Sequence, residues 1–107
     1  MADELTSNSD EQYQSIDIGA AVIDIIGDYC KAIRRSPKFK IKPETRLREH
    51  LELTDPEINE IFGEISFQFG LPTIYFDFDK VLTAQDAIAL TIDKIDEVLK
   101  SFGRWVN

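Results

Sequence analysis

The sequence has one cysteine, Cys30, and one histidine, His50. That scarcity excludes an internal disulfide framework and any zinc site built from several of these ligands, and it fits a reducing compartment. Basic residues are in deficit: twelve Lys and Arg stand against twenty Asp and Glu, a formal net charge of −8 and a pI near 4.5. A chain so acidic is not drawn to phosphate backbones or anionic lipid. The balance argues against nucleic acid and points to protein partners with a basic surface. No apolar run approaches the roughly 20 residues of a membrane span. The opening stretch, 1–14, is acidic and polar, unlike a secretory signal. The expectation is a cytoplasmic protein with no membrane partner. At 107 residues the chain supplies one core, which excludes a multidomain enzyme.

What is present suffices for a folded domain, since hydrophobic residues at 43% and charged residues at 30% are ordinary for a globular protein. Residues 1–14 hold a Ser/Asn/Asp cluster and little that is apolar. They read as a flexible acidic tail, leaving 15–107 as the domain. From Ser15 onward Ile16, Ala20, Ile23, Ile26, Cys30 and Ile33 recur at three and four residues, with Ile18, Val22, Ile25 and Tyr29 widening the stripe. This spacing predicts a long buried helix. Gly19 and Gly27 inside it suggest close helix contacts, and Pro37 marks its end by disfavouring helical geometry at Ser36.

The connection 36–54 is longer than most. A brief strand fits 39–42, and Ile41, Leu47, Leu51 and Leu53 pin the segment to the core. A second helix begins at Asp55-Pro56, with Asp as cap and Pro in the first turn. It buries Ile58, Ile61, Phe62, Ile65 and Phe69 and closes at Gly70 and Pro72. A third, over 84–102, places Ala87, Ile88, Ile92, Ile95, Val98, Leu99 and Phe102 on one side. The intervening 73–82 fits either a short helix or an extended piece. The fold class is therefore all-α: a bundle of three main helices with a long first loop and a short structured piece before the last, four helices if that piece is counted.

Three segments carry a resemblance. Residues 41–51 (IKPETRLREHL) look like a loop entering the second helix, 58–71 (INEIFGEISFQFGL) like that helix with its terminal Phe-Gly turn, and 81–87 (VLTAQDA) like the start of the last. In this order and spacing, over roughly 16–102, the chain resembles the acyl carrier proteins, small acidic bundles active in fatty-acid and polyketide-type metabolism. Carriers of that family hold a phosphopantetheine arm on a serine at the start of the second helix. Counting back from Phe69, that position falls on Asp55.

Arm transfer needs a hydroxyl that attacks the phosphate of coenzyme A and leaves a stable phosphodiester, whereas a carboxylate would give a hydrolysable acyl phosphate. Thr54 is one residue early and branched, and Ser66 lies eleven residues on, about 16 Å along a helix. The resemblance thus implies a carrier-like, non-enzymatic domain without cofactor, closest to bacterial proteins of that kind lacking the arm. In carriers the second helix docks basic patches on partner enzymes, so Asp55, Glu57, Glu60 and Glu64 become the partner-binding candidates. Ordinary solvation of a helix face explains the same glutamates. The alternative function is a working carrier modified at an unexpected hydroxyl.

Residues 74–83 (IYFDFDKVLT) resemble the first motif of the haloacid dehalogenase-like phosphatases, in which Asp77 would be nucleophile and Asp79 general acid/base. Only residues 84–107 follow, too few for the sheet and later motifs that family needs. A turn whose aromatics cap the bundle explains the stretch as well. Eight of the twelve basic residues fall within 31–48, either a polyanion-binding run or a solvated loop complementing the acidic helices. Cys30 reads as core and His50 as a surface residue or a loop pin. Trp105 covers the bundle end or contacts a partner.

Overall fold

The computed structural model describes residues 17–106, with side-chain surroundings as far as Ser101. The flexible tail expected over 1–14 and the roles expected of Phe102 and Trp105 lie outside the described residues. Among those residues there are three α-helices and no strand, an all-α chain. None of the described helices is long and apolar enough to cross a membrane.

Helix α1 spans Ile18–Ala32 and is capped by Asp17, whose carboxylate accepts from the Ala20 N–H at 3.0 Å. Val22, Ile26 and Cys30, four residues apart, are its fully buried line. The stripe expected through Ala20 and Ile23 is therefore rotated, with Ala20 exposed and Ile23 half-buried at the flank. The helix also stops before Pro37 acts. Arg34 adopts a left-handed φ of 60°, and the N–H groups of Arg34 and Arg35 close back on the carbonyls of Lys31 and Cys30.

Helix α2 spans Asp55–Phe69 and ends at Gly70, whose φ of 64° suits the residue without a Cβ. Helix α3 spans Ala84–Val106, four residues beyond the end expected at 102. Helix α1 lies between the other two and packs on both. Tyr29 of α1 meets Glu60 of α2, and Arg35, just past the end of α1, meets Glu57 nearer the start of α2, so the two helices run antiparallel. Near the other end of α1, a Cβ on Gly19 would stand 3.4 Å from Ile88 of α3 and 3.1 Å from the Asp17 carboxylate. Gly19 thus sits at a close helix approach; Gly27 meets only Ile41, at an ordinary 3.8 Å.

The long connection holds no strand at 39–42. It is instead pinned by burial of Ile41, Leu47, Leu51 and Leu53, as their spacing predicts. It also caps α3: the carbonyls of Pro43 and Thr45 accept from the first free N–H groups of that helix, at Gln85 and Ala84, and Leu47 donates to Leu82. Residues 73–77 are irregular and lead into one 3₁₀ turn, Phe78–Lys80. Phe76 stacks between Phe62 and Phe78, with ring centroids 4.3 and 4.6 Å away, so the aromatics of this stretch close one side of the core.

Candidate functional site

The mouth of α2 is built by the sequence Thr54-Asp55-Pro56-Glu57. Thr54, not Asp55, is the N-cap: its extended backbone precedes the first turn and its hydroxyl accepts from the Glu57 N–H. The Glu57 carboxylate reaches back to the Thr54 N–H at 2.8 Å and to the Thr54 hydroxyl at 3.0 Å, completing a capping box. Asp55 is consequently the first helical residue, and its carboxylate is free of capping duty.

Arg48 takes that carboxylate. Its Nε donates to Asp55 Oδ1 at 2.8 Å, while Nη1 and Nη2 donate to the carbonyls of Val81 and Phe78 at 2.7 and 2.9 Å. One planar guanidinium thus ties the long connection, the first turn of α2 and the 3₁₀ turn together. Arg35 plays a parallel part from the end of α1, donating to Glu57 at 3.1 Å and to the Glu52 carbonyl at 3.0 Å. Glu52 itself holds a left-handed φ of 57°. The Thr54 N–H, the Thr54 hydroxyl and the Arg35 guanidinium hold the Glu57 carboxyl below its usual range, against a smaller opposing effect of burial.

The four partner-binding candidates occupy different settings. Asp55 is exposed and paired with Arg48. Glu57 retains 19% side-chain exposure and is engaged on three sides. Glu60 is exposed and accepts from the Tyr29 hydroxyl, whose pKa is pushed up to about 12 by burial and by that acceptor. Glu64 is exposed, accepts from Gln68 at 3.0 Å and borders a groove of about 290 Å³ between α1 and α2, floored by Ile25, Tyr29 and Ala32. The outward face expected of the three glutamates is therefore carried by Glu60 and Glu64, while Glu57 turns toward the helix start and Arg35.

The other candidates resolve by placement. Ser66 is buried and donates to the Phe62 carbonyl. Asp77 caps the 3₁₀ turn by accepting from the Asp79 N–H, with no strand leading into it. Cys30 is buried, and burial followed by the Glu57 charge pushes its thiol pKa up, the reverse of what a nucleophile needs. His50 accepts from the Arg46 N–H through Nδ1 and meets Phe39 edge to face, as a loop pin. Among the described residues no group of three His, Cys, Asp or Glu is arranged to hold a metal.

Sequence reading missed Thr54, Arg35 and Arg48 as organisers. The Thr-x-x-Glu spacing of a capping box was present at 54–57 and could have moved the cap by one residue. Nothing local announces Arg48, whose acceptors lie 30 and 33 residues away. No family model, curated protein or solved structure matches the chain.

Proposed function

We propose that the chain is an acyl-carrier-like domain without a prosthetic arm, acting non-enzymatically by binding a protein partner with a basic surface at the start of α2. The element order supports the likeness: a long first connection, α2 closed by a Phe-Gly turn, and a short turn before the last helix. The observation that carries the reading is the pairing of Asp55 with Arg48 at the helix mouth. A carboxylate there offers no hydroxyl for a phosphodiester, and the neighbouring Thr54 hydroxyl is committed to Glu57. Asp55, Glu60 and Glu64 give the partner solvent-facing acids, and Glu57 maintains the turn beneath them.

The test is incubation of the full chain with a broad-specificity phosphopantetheinyl transferase and coenzyme A, followed by intact mass. The expected mass is unchanged. An increase of one phosphopantetheine would instead establish a working carrier, and fragment masses would locate its hydroxyl.

A further inference from the structure

Residues 31–42 contain six Lys and Arg and no Asp or Glu. A solvated loop that neutralises the acidic helices would account for such a run if its cations were paired. Within 31–48, Arg35, Arg46 and Arg48 are paired, with Glu57, Glu49 and Asp55. Lys31, Arg34, Lys38, Lys40 and Lys42 are exposed and make no ion pair among the described residues. Phe39 stands between two of these lysines with 46% of its surface exposed, its ring edge to face with His50. The end of α1 and the following loop therefore carry five unpaired cations and one accessible aromatic within twelve residues, on a molecule whose remaining surplus charge is negative.

We propose that the 31–42 surface binds a short acidic segment of a partner protein, with Lys38, Lys40 and Lys42 contacting carboxylates and Phe39 an adjacent apolar side chain. The size of the patch favours this occupant. A long polyanion such as nucleic acid would run off a twelve-residue patch onto acidic surface and be repelled there. A second copy would have to offer acids from a different face, a contact between unlike surfaces that would build a ring or a filament and show as self-association. The patch adjoins the mouth of α2 through Arg35, but its unpaired cations are opposite in sign to Asp55, Glu60 and Glu64, so it takes a different partner and does not depend on the function proposed above.

The test is fluorescence anisotropy of a labelled twelve-residue Glu/Leu peptide titrated with the full chain, beside a Lys/Leu peptide and a labelled oligo(dT) of twenty nucleotides. Saturable binding is expected for the acidic peptide alone, weakening on the order of tenfold between about 0.05 and 0.5 M salt as the charges are screened. Lys38→Gln/Lys40→Gln/Lys42→Gln should remove that binding with an unchanged melting curve, and Phe39→Ala should weaken it severalfold without altering the salt slope. No binding of the acidic peptide, equal binding by the triple variant, or preferential binding of oligo(dT) would each overturn the proposal. So would concentration-dependent self-association of the chain that the triple variant abolishes. If the triple variant melts early, Lys38→Glu and Lys40→Glu singly, each melting normally, must still weaken binding.

Discussion

Arg48 and Asp55 meet at 2.8 Å across seven residues of chain, and the same guanidinium closes on two carbonyls from the turn before α3. The two partners are unequal. Asp55 is an exposed carboxylate in one ion pair, worth less than about 1 kcal/mol. Arg48 satisfies two part-buried carbonyls as well. Urea unfolding should therefore show Asp55→Ala losing less than about 1 kcal/mol and Arg48→Ala losing about 2 kcal/mol. Arg48→Lys should recover only part of the loss, because an ammonium cannot fork to the carbonyls of Val81 and Phe78. Equal losses for Asp55→Ala and Arg48→Ala would place the stabilisation in the ion pair alone.

If the α2 mouth is carrier-like, supplying the missing hydroxyl should restore a modifiable position. Asp55→Ser, treated with transferase and coenzyme A, is expected to gain the mass of one phosphopantetheine while the parent chain gains none. Thr54→Ser keeps Asp55 and should stay unmodified. An inert Asp55→Ser with a normal melting curve would count against the carrier likeness of this helix start.

Acid should act through the carboxylates that begin α2 and α3. Glu57 sits below its usual pKa because the Thr54 N–H, the Thr54 hydroxyl and Arg35 favour its charged form. Burial pushes Asp86 upward, yet the N–H groups of Leu82 and Thr83 and the Thr83 hydroxyl outweigh it and leave that carboxyl lowered too. With folded pKa values below the unfolded ones, the unfolded chain takes up protons first as pH falls. The stability these groups supply is thus present above their ordinary range and lost below about pH 4. Thermal midpoints should be flat from pH 7 to about 5 and drop steeply below about 4. The paired variant Glu57→Gln/Asp86→Asn should have a lower midpoint at pH 7 and a shallower acid drop.

Two glycines of α2 should respond with opposite signs. Gly63 is exposed in mid-helix and a Cβ there would meet nothing within 4 Å, so Gly63→Ala should gain up to about 1 kcal/mol. Gly70 has the same open space but a left-handed φ, and Gly70→Ala should lose about 1 kcal/mol. Urea midpoints shifting the same way for both would overturn the assignment of Gly70 as the turn that ends α2.

Helical period alone located the buried residues of α2 and of the start of α3, because Ile58, Ile61, Phe62, Ile65, Ala87 and Ile88 repeat at helical spacing, whereas Ile92 and Leu99, expected on the same side of α3, are exposed. It misplaced the centre of α1, where isoleucines on nearly every side left the axis of the stripe undetermined and packing against both neighbours selected Val22, Ile26 and Cys30. The strand expected at 39–42 does not form: Ile41 is drawn into the core, and Lys42 spends its N–H on the Thr45 hydroxyl and its carbonyl on the Thr45 N–H instead of on a partner strand. At the candidate site Asp55 was legible as a residue at a helix start. Its partner was not, since Arg48 is chosen by carbonyls that only folding brings near it. The acidic row of α2 was legible as a row, but its division into a structural Glu57 and solvent-facing Glu60 and Glu64 depends on Arg35 and Tyr29, both outside α2.

The lone thiol, sealed among α1's fully buried residues, makes the protein its own reporter of breathing. Any alkylating reagent must wait for α1 to part from its neighbours, so labelling kinetics at this atom count excursions of the bundle without an introduced probe.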